Sequence, residues 1–217
     1  MERLLLTNAR ILTGSFVTEP RALLTEGGRI AKILPPSQAA GLSVSRSVDL
    51  EGRYLAPGLI DLHTHGIGGW DFTDCEEEAF LSAARCYVRY GVTSVYPTLA
   101  ACPDEELEES CALFQKALLQ NGEGANLLGL HLEGPFLCKA KKGAQNEAFL
   151  HDPDPAMLHR LQQAAQGMVK LVTLAAEQPG AEVLAHIRRN RVTERGRGDF
   201  QNAVQLVRRR EARNEQH

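Results

Sequence analysis

The chain has 217 residues, enough for one large domain or two small ones, with an ordinary globular composition. Its formal net charge of −3 gives no general electrostatic argument for a nucleic acid or an anionic membrane surface as partner. The apolar runs are short and interrupted, which excludes a membrane-spanning helix, and the N-terminus lacks the basic, apolar, small-residue order of a secretion signal. Cys75, Cys86, Cys102, Cys111 and Cys138 are odd in number and have no C-x-x-C spacing. They read as reduced thiols in a cytoplasmic protein, not as a disulfide framework or a zinc knuckle.

Residues 1–57 read as short strands over Arg3 to Leu6, Arg10 to Leu12, Ala22 to Thr25 and Arg29 to Leu34. Gly14, Gly27-Gly28 and Pro35-Pro36 punctuate them, and Gly27-Gly28 fits a tight hairpin. Such a β-layer is too thin to bury a core alone.

From Gly58 the rhythm becomes strand, loop, helix. Leu59 to Leu62 reads as a buried strand. Glu76 to Tyr90 carries Ala79, Ala83, Tyr87 and Tyr90 near helical spacing, with Gly91 as its stop. Val92 to Pro97 is the next strand. Pro103 to Gln120 is a helix with Leu107, Cys111, Phe114 and Leu118 on one face. Pro103 falls in its first turn, and three acidic residues follow, favourably placed against the helix dipole. Leu127 to Leu132 is a third strand, Pro155 to Gln166 a helix, Val169 to Leu174 a fourth strand and Ala181 to Arg189 a further helix. The alternation predicts an α/β fold: a parallel sheet with helical crossovers, the first four or so units of a (β/α)8 barrel. Residues 58–217 form this incomplete barrel. A closed one needs eight strands in typically ~250 residues, and about 160 remain after the β-layer.

Two motifs end strands of that sheet. His63 and His65 are separated by one residue, so on a strand they face the same way. The glycines of Gly66-Ile67-Gly68-Gly69 then let the backbone turn sharply. Glu133, in His131-Leu132-Glu133-Gly134-Pro135-Phe136, falls just past another strand end. Two imidazoles and a carboxylate on one rim make a divalent metal site, with zinc first among the candidates and one or two ions to be held. Against this stands the bland reading of two core or surface histidines and an acid that caps a helix or solvates a loop. His131 shares the direction of Glu133; it either orients a substrate or packs as a satisfied neutral side chain. In Lys141-Lys142-Gly143-Ala144-Gln145-Asn146 the lysines read as a solvated basic loop, while the Gly143-Ala144 backbone could approach a sugar closely. Glu177 reads equally as a rim residue or a structural partner.

Together these residues resemble the N-acetylglucosamine-6-phosphate deacetylases of the amidohydrolase superfamily, over residues 1 to about 190. The resemblance runs through Ala56-Pro57-Gly58-Leu59-Ile60-Asp61-Leu62-His63-Thr64-His65-Gly66 and Tyr96-Pro97-Thr98-Leu99. It continues through His131 to Phe136, Lys141-Lys142-Gly143-Ala144 and Thr173-Leu174-Ala175-Ala176-Glu177. The first motif is widespread in the superfamily; Glu133 with the lysine-glycine loop is more specific. The resemblance implies an N-terminal β-layer joined to a β/α barrel, a cytoplasmic role in amino-sugar metabolism, and hydrolysis of N-acetylglucosamine 6-phosphate to glucosamine 6-phosphate and acetate. It implies Glu133 as a metal ligand, His63 and His65 at a second metal position in members that bind two ions, and Ala144 as a sugar contact. It also implies homodimers and a small amino-sugar phosphate as partner. Ala176 departs from the proline usual at its position.

The family's general-base aspartate and two further histidines, implied on later strands, have no counterpart here. Val192-Thr193-Glu194-Arg195-Gly196-Arg197-Gly198 stands where an apolar strand ending in Gly-His is expected, and Asp199 to Arg208 suits the helix that would follow. The reading expects a local frame disturbance at 192–198 and a premature end, with a Gly-His motif in another frame of the coding DNA. It further expects poor solubility, or reliance on a partner, for the chain alone. Besides the deacetylase, the alternatives are another metal-dependent amidohydrolase and a non-catalytic, metal-binding fragment.

Overall fold

The computed structural model describes residues 2–181 and, as backbone, Ala203–Val207. It divides into two compact units, residues 1–58 and 59–217.

In the first unit β1 (Arg3–Ile11) pairs antiparallel with β2 (Arg21–Glu26), which forms a hairpin with β3 (Arg29–Leu34) through Gly27-Gly28. A short helix α1 (Pro36–Ala39) follows, then β4 (Arg46–Asp49) and β5 (Tyr54–Leu55), both parallel to β1. The two strands expected over residues 3–12 are a single strand. Its register shifts between Leu6 and Ala9, where Asn8 takes a left-handed φ of 55°, so a bulge produces the interruption seen in the apolar pattern. Leu5, Ala22 and Leu24 pack on one face and Ala9, Ile11 and Leu23 on the other, two small clusters rather than one core.

The second unit is built on parallel strands. β6 (Leu59–Thr64) leads into a small hairpin, β7 (Gly66–Ile67) and β8 (Trp70–Asp71). Gly68 and Gly69 both have positive φ at its turn, as a two-residue hairpin requires. A Cβ at Gly66 would lie 1.9 Å from the Trp70 carbonyl oxygen, so no other residue fits there. α2 (Glu77–Tyr87) continues through one 3-10 turn to Gly91, whose left-handed conformation ends it. Next come β9 (Val92–Ala100), α3 (Asp104–Gln120), β10 (Asn126–Leu127), β11 (Leu130–Glu133), α4 (Pro155–Ala164), β12 (Val169–Ala175) and β13 (Ala203–Val207). Pro103 lies just ahead of α3, not in its first turn, and Asp104, Glu105 and Glu106 face the positive end of the dipole. The Asp154 carboxylate caps α4 by accepting from the Ala156 N–H at 2.8 Å.

β6 and β11 flank β9, and β12 and β13 follow, all parallel. The core lies between this sheet and α2, α3 and α4, where Phe72, Phe80 and Phe114 form a stacked and edge-on series beside Leu99, Leu130, Leu132 and Leu174.

Three further expectations need correction. Leu59 to Leu62 is a strand but is not buried: Leu59, Ile60 and Leu62 are 61%, 60% and 55% exposed, because β6 pairs with β9 alone among the described residues. Tyr90 is exposed, since the 3-10 turn rotates it off the buried face of α2. Within 199–208, expected as helix, Ala203–Val207 is a strand parallel to β12. Five residues with two valines have no decisive period, and the open edge of β12 offers a ladder. The helix expected at 181–189 and the irregular stretch 192–198 lie outside the described residues. Among the described residues no helix is long and apolar enough to cross a membrane.

Candidate metal centre

The C-terminal ends of β6, β9, β11 and β12 meet at one rim. His63 is the penultimate residue of β6, His65 lies one past its end, and Glu133 is the last residue of β11. One ligand atom from each of the three, a ring nitrogen of either histidine and a Glu133 carboxylate oxygen, falls within 4.8 Å of the other two. Glu133 Oε2 is 2.9 Å from His65 Nε2 and 3.6 Å from His63 Nε2. Two donors, each ~2.0–2.1 Å from a tetrahedral ion, lie roughly 3.3 Å apart, so the spacing suits one shared cation.

The protonation pattern suits it too. His65 Nδ1 is 3.1 Å from the Thr98 carbonyl oxygen. A carbonyl can only accept, so Nδ1 carries a proton and Nε2 is the nitrogen turned toward Glu133. A lone pair facing a carboxylate oxygen needs a positive centre between or beside them, which a divalent ion or a second ring proton supplies. Metal-binding histidines are commonly fixed in this way by a carbonyl at the other nitrogen.

Glu133 is held from its far side. Gln145 Nε2 donates to Glu133 Oε2 at 3.0 Å, while its Oε1 accepts from the Ala101 N–H at 2.8 Å. Lys142 is not free in solvent, because its ammonium donates to the Gln145 carbonyl at 2.9 Å.

His131 lies beneath the pair. It is 1% exposed, with its ring edge-on to His63 at a centroid distance of 5.1 Å. Nδ1–H donates to the Leu62 carbonyl at 3.2 Å, and Nε2 accepts from the Thr173 hydroxyl at 2.8 Å. Burial, and secondarily the neighbouring His63, pull its pKa below the ordinary imidazole value, so it is neutral.

A cavity of about 350 Å3 opens beside His65 and Glu133, with His63 outside its lining. His65, Glu133, Cys138, Lys141, Ala144 and Gln145 are among its lining residues, and exposed Glu177 stands at its edge. Ala144 therefore sits where a ligand of the cavity would meet it, whereas His131 lies below the cavity floor.

An amidohydrolase family model matches residues 54–190. The chain belongs to the amidohydrolase family. It is similar to the human N-acetylglucosamine-6-phosphate deacetylase, 36% identical over 182 residues that cover 79% of this chain and 42% of that one. The N-acetylgalactosamine-6-phosphate deacetylase of Escherichia coli O157:H7 is 29% identical over 185 residues, 81% of this chain and 48% of its own. The crystal structure of N-acetylglucosamine-6-phosphate deacetylase from Pasteurella multocida superposes with a TM-score of 0.75 at 31% identity, over 85% of this chain and 48% of that one. The chain thus spans about half the length of the relatives it matches.

His63, His65, Glu133, His131 and Ala144 stand out in the sequence motifs, whereas Gln145, Thr98, Tyr87 and Thr173 carry no role there. Gln145 reaches Glu133 across a loop, so no strand period relates them. Thr98 had a signal, its place after Tyr96-Pro97 at a strand end, and Tyr87 counted only as one apolar position on a helix.

Proposed function

We propose that this amidohydrolase sequence carries the metal-binding half of a deacetylase acting on N-acetylglucosamine 6-phosphate, with acetate and glucosamine 6-phosphate as products. The convergence of His63, His65 and Glu133 beside the cavity lined by the Lys141 to Gln145 loop carries this reading. Those three side chains would hold a divalent ion, zinc first, which would supply Lewis acidity toward an amide carbonyl. The chain's own groups set the stage for it. Glu133 contributes the negative charge, Gln145 fixes its orientation, and His65 offers Nε2 because Thr98 occupies Nδ1. His131 supports His63 from below and keeps both nitrogens for the protein. Ala144 and the backbone of Gly143 border the space for the sugar. The five free cysteines accord with a reducing, cytoplasmic setting, and a homodimer is the assembly expected.

The test incubates the 217-residue chain with Zn2+, Mn2+ or Co2+ and the 6-phosphates of N-acetylglucosamine and N-acetylgalactosamine, and measures released acetate. Faster release from the glucosamine derivative, abolished by a chelator, supports the proposal. Preference for the galactosamine derivative changes the substrate and keeps the chemistry. Bound metal with no acetate from either leaves a metal-binding protein without this activity.

A further inference from the structure

Between His63 and His65 stands Thr64, whose position follows from three contacts made by residues on other elements. Its backbone N–H donates to the Thr98 hydroxyl oxygen at 3.0 Å. Its own hydroxyl is hydrogen-bonded to the Tyr87 hydroxyl, and both hydroxyls reach the Gly66 carbonyl oxygen, at 3.4 and 3.2 Å. Thr98 is fully buried on β9 and its hydroxyl is further fixed by donating to the Tyr96 carbonyl at 3.3 Å. Its own carbonyl is the acceptor that sets the His65 tautomer.

These ties matter because β6 lacks the usual means of fixing a strand. It is an edge among the described residues, its apolar side chains are largely exposed, and its register with β9 shifts between Asp61 and Thr64, across His63. Beyond the His131 ring edge-on to His63, packing and a regular ladder do not hold the pair there; polar contacts must.

We propose that Thr98 and Tyr87 clamp Thr64 from its two sides and thereby preset His63 and His65 as a pair for one divalent cation, a role that rests on the metal reading above. Both are positioning residues: neither approaches the cation or the cavity. Outer contacts of this kind typically change metal affinity by ~10–100-fold when removed.

Two readouts test the clamp on the full 217-residue chain. In zinc competition against a chromogenic chelator, Thr98→Val, which keeps shape and strand preference, is expected to weaken binding about tenfold or more. Thr98→Ser is expected to stay within about threefold of wild type, and Tyr87→Phe to lose about three- to tenfold. In 1H–15N spectra of the metal-free protein, the His65 Nδ1–H held by the Thr98 carbonyl is expected as one slowly exchanging proton in wild type and Thr98→Ser, and as a fast-exchanging one in Thr98→Val, where the displaced ring leaves that carbonyl. Met157→Ala, in the core under α4, controls for general destabilisation and is expected to alter neither readout. Wild-type affinity together with a slowly exchanging His65 Nδ1–H in both Thr98→Val and Tyr87→Phe overturns the clamp. If Thr98→Val does not fold, Tyr87→Phe decides alone by the same criterion. If the wild-type chain takes up no zinc, the metal reading falls, and exchange of the His65 Nδ1–H still judges the clamp.

Discussion

Two strands supply the ligand candidates, and they are held in different ways. β11 is flanked on both sides by β9 and β12, and Leu130 and Leu132 are fully buried, so Glu133 and His131 are placed by packing. Among the described residues β6 has one partner and an exposed apolar side, so His63 and His65 are placed largely by a few hydrogen bonds. The contrast shows how one metal site can combine a rigid carboxylate with histidines whose geometry depends on polar neighbours, and it tells where each kind of mutation should act.

The largest effect belongs to the packed strand. Leu132→Ala removes a fully buried side chain beside Glu133 and is expected to cost about 2–5 kcal/mol, read as a lower denaturant midpoint. A loss under ~0.5 kcal/mol would mean that β11 is not the rigid half. Next comes Glu133→Gln, which keeps the shape and removes the charge; zinc binding should weaken at least about 100-fold with little change in folding. Gln145→Leu follows. It leaves Glu133 without its amide donor and the Ala101 N–H without its acceptor. About tenfold weaker zinc binding is expected, whereas unchanged binding would reduce Gln145 to a loop contact. The smallest effect is expected from Ile60→Ser on β6, within about 0.5 kcal/mol of wild type, since the side chain is already mostly exposed. A large loss there would show that β6 is covered in solution, and would erase the contrast.

How much of this could be read from the chain differs by region. The strand and helix alternation from Val92 to Ala175 was legible because each helix carries a clear period and a marked start, as at Asp104 and Asp154. The pairing of Glu133 with the histidines was legible because strand ends in a parallel sheet share a rim. Burial of β6 was misjudged because an apolar run states a preference for cover and not whether a neighbour provides it. Ala203–Val207 was misassigned because five residues fit either period. Gln145, Thr98 and Tyr87 escaped because their contacts cross 12, 34 and 23 positions of sequence with no repeat to link them.

The central claim is that one cation is shared by residues of β6 and β11. Zinc K-edge X-ray absorption on the loaded chain tests it most directly, with wild type compared to Glu133→Gln and to His65→Asn. We expect one zinc per chain with two imidazole nitrogens at ~2.0–2.1 Å and the remaining ligands oxygen, one imidazole fewer in His65→Asn, and a largely empty site in Glu133→Gln. A sulfur shell from the cysteines, or a wild-type imidazole count that neither substitution changes, would contradict the account.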